Sequence, residues 1–171
     1  DGDTLLFASS AIAHPDNAAG ASALRPVIVT STTPMVLVVR ASMPVHDARE
    51  FARYLSTRSG TTYGSAGVGN ATHLCAAELV ERLGVEATHI PYNGSPPAAL
   101  AVAQGEADAT FMVAPALLAH VRNNKVRLLA VSSSQRPDSL KDLPSLAAAG
   151  YPKVESLAWN GLFASPGTPE A

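Results

Sequence analysis

The sequence is poor in cysteine and in charge, and each shortage excludes a class of protein. Cys75 is the single cysteine among 171 residues, so neither a disulfide framework nor a thiolate metal cluster is available. Charged residues make up 15% and the net charge is −2, which excludes the basic footprint typical of nucleic-acid binding. No apolar run reaches the ~18 residues that a membrane-spanning helix needs. The five histidines have no metal-binding spacing, and we predict neither a metal nor a cofactor.

The hydrophobic residues, 47% of the chain, favour a packed core, and their periodicity alternates between strand and helix. Apolar and β-branched runs predict strands over 4–8, 27–30, 35–39, 61–64, 85–90, 107–113, 126–131 and 156–164. Helical spacing predicts helices over 45–55, 71–83, 95–103, 115–122 and 145–149, and residues 14–21 are predicted to form a loop or a loose turn of helix. Repeated strand–helix–strand units indicate an α/β fold, with a mostly parallel sheet and helices on both faces. The sequence stops after the loop 165–169 without a closing element, so we expect part of the protein to lie outside it.

A glycine-rich turn between strand and helix, residues 63–70, is the most informative segment. The helix predicted after it begins at Asn70, a favoured N-cap, and its first turn carries open N–H groups and the positive end of the helix dipole. Such a turn binds a carboxylate or phosphate, and the Ser65 hydroxyl offers a further donor. A strand–turn–helix corner without a ligand is the alternative interpretation, and the turn alone does not decide between them.

Enzyme motifs are incomplete at the same turn. Thr72 stands where a dinucleotide fingerprint needs its third glycine, and Tyr63 stands where a nucleophile elbow needs its first. Ser65, His73 and Asp108 can be drawn as a triad, but nothing in the sequence fixes their geometry. We expect Asp108 to hydrogen-bond a neighbouring loop, and His73 either to point into a cleft or to pack locally. An α/β hydrolase-like or nucleotide-dependent enzyme using the Ser65 loop is the alternative function.

Six segments, in order, resemble one protein family. Residues 63–74 resemble its "SPGxGSxxHL" motif, 89–97 resemble "HVPYKGxxP", 105–108 "GxVD", 128–136 "LAVTxxxR", 143–151 "VPTxxExG" and 159–169 "WxGLxAPxGTP". The chain therefore resembles the Bug/TctC-type substrate-binding proteins of tripartite tricarboxylate transporters. Each motif is short, but the six occur in the family's order and spacing.

The resemblance implies a periplasmic-binding-protein-like (type II) fold in which two α/β domains are hinged by crossing strands. Residues 1–34 would belong to a partial first domain, 35–157 would form the complete second domain, and 158–171 would cross back into the first. It also implies a periplasmic receptor, not an enzyme. Such a receptor binds a small organic acid, either a dicarboxylate, a tricarboxylate or an acidic amino acid, and passes it to membrane permease subunits.

The resemblance also assigns ligand-binding residues. The carboxylate loop would be Ser65, Ala66, Gly67, Val68, Gly69 and Asn70, acting mainly through backbone N–H groups. The first-domain side would be Ser9, Ser10 and Ala11; the cleft edge would be Tyr92, Asn93 and Gly94; and Trp159 would lie near the hinge. Asn70 replaces the family's usual Ser, Asn93 a common Lys and Ala101 a common Asp. Because Asn93 removes a positive charge, we expect a less highly charged ligand.

Overall fold

Seven strands and four α-helices alternate along the residues that the computed structural model describes, 4–13 and 23–168. The strands are β1 (Leu5–Ser9), β2 (Arg25–Arg40), β3 (Thr62–Ser65), β4 (Thr88–Pro91), β5 (Ala109–Val113), β6 (Val126–Val131) and β7 (Leu157–Ala164). The helices are α1 (Ala48–Thr57), α2 (Ala71–Leu83), α3 (Ser95–Gln104) and α4 (Leu118–Arg122). The loop predicted over 14–21 lies outside the described residues.

The 16-residue strand β2 belongs to two sheets. Its first part, from Arg25 to Pro34, pairs antiparallel with β7, which pairs in turn with β1; these three segments form the small sheet. From Met35 onward β2 enters the main sheet, whose order is β6-β2-β5-β3-β4. The prediction of two separate strands, 27–30 and 35–39, was wrong because Pro26 and Pro34 were taken as strand ends. In the small sheet β2 is an edge strand, where the missing N–H of a proline interrupts no pairing.

The direction of β2 corrects the predicted sheet. Strands β3, β4 and β5 are mutually parallel, as expected for strand–helix–strand units. Strand β2 lies antiparallel between β5 and β6, so the main sheet is mixed. Its segment 35–39 is buried on both faces. Met35, Leu37 and Val39 pack in one core with α1 and α2, and the two intervening valines pack in a second core with α3, which confirms helices on both faces.

Capping residues set the helix boundaries. Helix α2 covers the predicted 71–83: the Asn70 side chain accepts a hydrogen bond from the Thr72 N–H at 3.1 Å, and Gly84 ends the helix in the left-handed conformation. Helix α1 begins three residues later than predicted because Asp47 caps it by accepting a hydrogen bond from the Glu50 N–H at 2.8 Å. The helix predicted over 145–149 is a series of turns instead, which Ser145 enters through a bridge to Val131.

The small sheet leaves large apolar side chains exposed in the described part of the chain, among them Phe7 at 61% and Ile28 at 59%. The main sheet, by contrast, forms nearly all of the buried core together with the helices and loops that pack on it. None of the described helices is long and apolar enough to cross a membrane.

Candidate functional site

The loops that follow β3, β4 and β5 lie at one end of the main sheet. Ser65, the last residue of β3, pairs with Pro91, the last residue of β4, and Val113 at the end of β5 pairs with Met35. The carboxyl ends of the parallel strands therefore meet where β2 arrives from the small sheet. In open α/β sheets, ligands bind outside the carboxyl ends of the strands.

The turn 65–70 is held by hydrogen bonds to its own and neighbouring side chains. The Ala66 N–H donates to Thr72 Oγ1 at 2.9 Å, the Gly67 N–H to Ser65 Oγ at 3.2 Å, and the Gly69 N–H to His73 Nδ1 at 3.1 Å. Both glycines have positive φ values, 129° and 72°, which side chains with a Cβ rarely adopt. The turn is therefore shaped before any ligand arrives.

Two backbone donors remain open at this turn. The Val68 N–H has no hydrogen-bond partner among the residues that the structure describes, and its side chain is 64% exposed. The Ala71 N–H belongs to the first residue of α2 and has no acceptor within the helix. An anion at the turn would meet these two donors and the positive end of the helix dipole. Within the described residues, the N–H groups of Val68 and Ala71 are the two at this turn that remain available to an anion.

Three stacked aromatic rings, those of Tyr63, His89 and His73, support the turn through contacts with Ser65 and Gly69. His89 Nε2 lies 2.7 Å from Ser65 Oγ, and the ring of His89 stacks on His73 with centroids 3.9 Å apart. The Tyr63 ring stacks on His89 at 5.0 Å. Burial, and then the proximity of His73, lower the pKa of His89, which favours its neutral form. The sequence analysis missed this stack, although the parallel register that pairs Tyr63 with His89 is the feature that produces it.

Residues 92–94 lie beside the turn. The Tyr92 N–H donates to the Ser65 carbonyl at 3.0 Å, and the Tyr92 ring covers Gly64 so closely that a Cβ there would lie 3.2 Å from the ring. Asn93 is exposed, and Gly94, with φ of 103°, precedes α3. The structure therefore brings together the 65–70 and 92–94 groups that the sequence analysis singled out.

The other predicted site residues belong to the end of the small sheet nearest the main sheet. Ser9 pairs with Asn160, and the adjacent Trp159 pairs with Thr32 of β2. Thr32 is three residues before Met35, or about 10 Å along a strand. Ser10 and Ala11 begin a 3-10 turn that packs on β7. The half-buried Trp159 ring contacts the Phe163 ring at a centroid distance of 6.4 Å. The two groups of residues thus flank the crossing of β2.

The catalytic triad drawn from the sequence is not assembled. Asp108 accepts hydrogen bonds from Arg40 Nε at 3.1 Å and from the Thr62 N–H at 3.0 Å, at the opposite end of the sheet from Ser65. Asp108 thus makes structural hydrogen bonds as expected, but to the ends of two strands and not to a neighbouring loop. His73 accepts from the turn itself, and Ser65 is fully buried, so its hydroxyl is not presented to a substrate. Within 4–13 and 23–168, no cluster of three His, Cys, Asp or Glu side chains is placed to hold a metal.

Comparison with known proteins gives one consistent family. Residues 4–171 match the family model described as TctC, the tripartite tricarboxylate transporter family receptor. A UPF0065 protein from the tcbD-tcbE intergenic region of a Pseudomonas strain is 36% identical over 148 residues, which cover 85% of this chain and 44% of that protein.

Two solved structures are similar over nearly the whole chain. The R. palustris protein with adipate has a TM-score of 0.89 and 30% identity, over 99% of this chain and 59% of its own. MatC from Rhodopseudomonas palustris with bound malate has a TM-score of 0.85 and 28% identity, over 99% of this chain and 60% of its own. The chain thus spans between two fifths and three fifths of the length of these relatives.

Proposed function

This chain belongs to the family of tripartite tricarboxylate transporter receptors, and from that premise we propose that its turn 65–70 holds one carboxylate of a small organic acid. The observation that carries the proposal is the open Val68 N–H beside the Asn70-capped start of α2, at the end of the main sheet where β2 crosses. Free N–H donors and the helix dipole together favour an anion there. The hydrogen bonds inside the turn mean that little reorganisation opposes binding.

The ligand class follows from charge and from the relatives. Adipate and malate, named with the two R. palustris structures, are both dicarboxylates. Neither 65–70 nor 92–94 contains Lys or Arg, and Asn93 occupies the place of the family's common Lys. Neutral donors stabilise one carboxylate group well, and each further negative charge is harder to hold without a cation. On charge we therefore place a dicarboxylate ahead of a tricarboxylate, and on the ligands of the two R. palustris structures we place it ahead of an acidic amino acid.

Two domains would enclose this ligand. In this proposal residues 35–157 form one domain, and residues 1–34 with 158–171 form part of the other, which supplies Ser9, Ser10, Ala11 and Trp159. Closure about the crossing strands would bury the acid, as in other hinged binding proteins. The receptor would act in the periplasm and deliver its ligand unchanged to the membrane permease subunits of the transporter.

An enzyme is the weaker candidate. The 2.7 Å contact between Ser65 Oγ and His89 Nε2 has the length of a nucleophile–base pair. However, the serine is fully buried, and a stacked ring of His73, not a carboxylate, contacts His89. We therefore assign this pair to the support of the turn.

The test is a binding screen on the longest natural chain that contains residues 1–171. Thermal unfolding is measured with malate, adipate, succinate, citrate and glutamate, and with succinamide as the uncharged control. One acid at 100 times its Kd should add about 2.7 kcal/mol to the free energy of unfolding and be recovered chemically unchanged. The proposal is wrong if no acid stabilises the protein at millimolar concentration, or if the bound acid is recovered as a product.

A further inference from the structure

Ser132, directly after β6, is bonded to both segments that cross between the sheets. Its Oγ accepts a hydrogen bond from the Met35 N–H at 2.9 Å and donates to the Ser156 carbonyl at 2.5 Å. The Ser132 backbone is hydrogen-bonded to the same two residues. Its N–H donates to the Met35 carbonyl at 2.8 Å, and its carbonyl accepts from the Ser156 N–H at 3.1 Å. Met35 is where β2 enters the main sheet, and Ser156 is the residue before β7 leaves for the small sheet.

The two following serines add a second attachment to the returning segment. Ser133 Oγ, the Ser134 N–H and Ser134 Oγ all donate to Glu155 Oε1, at 3.2, 3.2 and 3.0 Å. We call residues 132–134 the serine clasp. Ser132 is 1% exposed, and its hydroxyl uses both its donor and an acceptor site, so the two bonds of this hydroxyl are largely shielded from competing water.

The sheet is narrowest immediately beyond the clasp, where only two strands lie side by side. Strand β1 pairs with β7 only from Asn160 to Ala164, so the residues 32–34 and 157–159 form a two-stranded ribbon; we call it the neck. Two-stranded ribbons twist more readily than wider sheets. On the other side of the clasp, residues 35–39 are fully buried between two partner strands. The number of strands paired with β2 therefore falls from two at Val36 to one at Pro34, while Ala158 of the neck still packs against the main core.

We propose that the serine clasp is the fixed end of the hinge: it holds both crossing segments to the main sheet, so that bending between the sheets is confined to the neck. The inference rests on the domain closure proposed above. Ser132 is then a positioning residue, because it sets the place of bending without contacting the ligand.

Amide hydrogen exchange on the longest natural chain that contains residues 1–171 tests the clasp without any ligand, so a failure to bind carboxylates would leave the result intact. The Met35 and Ser156 amides should exchange as slowly as the Phe111 amide in β5, and the neck amides of Thr33 and Ala158 faster by about tenfold or more. Ser132→Ala removes one partner from Met35 and from Ser156, and should speed their exchange about tenfold relative to Phe111.

Two variants separate a hinge role from general stability. Val126→Ala truncates a buried side chain at the far end of β6 and should speed all main-sheet amides by a common factor. Ser132→Thr keeps the hydroxyl and should restore slow exchange. The proposal is overturned if Ser132→Ala speeds Met35 and Ser156 no more than Phe111, or if the neck exchanges as slowly as Met35.

Distances between spin labels measure how the small sheet is oriented relative to the main sheet. Labels on Thr30→Cys and Ser59→Cys occupy exposed positions of the small sheet and of the main-sheet side, and Cys75 is buried. The distance distribution should be broader in Ser132→Ala than in the wild type or in Val126→Ala. An equal width in all three would show that the clasp does not restrict the motion, and would overturn the proposal.

Discussion

The hydroxyl oxygen of Ser65 lies 2.7 Å from Nε2 of His89, and this contact joins the parallel strands β3 and β4 next to the glycine-rich turn. The same oxygen accepts from the Gly67 N–H at 3.2 Å. Ser65 thus links the strand to the turn and the turn to the histidine stack. A side chain that is buried and bonded in this way supports the turn.

Ser65→Ala should lower the free energy of unfolding by about 1–3 kcal/mol, because the Gly67 N–H and the His89 ring both lose a buried partner. Urea denaturation measures the change, with exposed Ser59→Ala as the matched control, expected within about 0.5 kcal/mol of the wild type. Equal stability of the two variants would show that Ser65 does not support the turn.

His89 should titrate below the ordinary histidine pKa of about 6.5, since burial and then the nearby His73 oppose its charged form. With the folded pKa lowered, its contribution to stability is complete above the unfolded pKa and falls as the pH drops from there toward the folded pKa. NMR titration of the His89 ring gives the value directly, and His89→Gln should flatten stability over this interval. A midpoint at or above 6.5 would contradict the assignment.

Cys75 should not react with thiol reagents in the folded protein. It is 2% exposed, and burial raises the pKa of its thiol to about 12, so almost no thiolate is present at pH 8. A disulfide reagent should label it only after unfolding in urea, whereas a cysteine placed at exposed position 59 should react in the folded state. Rapid labelling of native Cys75 would show that α2 opens readily.

Glu155 should make stability depend on pH in the acid range. Hydrogen bonds from the Ser134 N–H, and then from the hydroxyls of Ser134 and Ser133, lower the pKa of its carboxyl group. The resulting stabilisation is present above the unfolded pKa and is lost as the pH falls through the lower folded value. Glu155→Gln should therefore be less stable than the wild type near neutral pH, and the difference should shrink below about pH 4. A difference that is constant with pH would contradict the prediction.

Helix ends that are set by the residues beside them were predicted well from the sequence. Helix α2 was predicted with correct ends because Asn70 and Gly84 act on the backbone beside them. The turn was located from its glycines and from Asn70, whereas its grouping with residues 92–94 was implied by the family resemblance. The structure brings the two together because β3 and β4 are parallel and end at one edge of the sheet.

Relationships distant in sequence were not predicted. Ser65 and His89 are 24 residues apart, and Met35 and Ser132 are 97 apart; only the strand registers bring them together. The continuity of β2 was missed for a related reason: whether a proline ends a strand depends on whether that strand lies at an edge, which is a tertiary property. The internal bonds of the turn, which leave Val68 and Ala71 as its open donors, likewise depend on where Thr72 and His73 point.

The most direct test of carboxylate binding at the turn replaces the side-chain amide of Asn70. Asn70→Asp keeps a good N-cap but places a negative charge beside the proposed carboxylate, whereas Asn70→Ser keeps a neutral cap. Calorimetric titration of the longest natural chain with whichever acid binds the wild type should show affinity reduced about tenfold or more in Asn70→Asp and changed less than about threefold in Asn70→Ser. Wild-type affinity in a folded Asn70→Asp protein would contradict carboxylate binding at this turn.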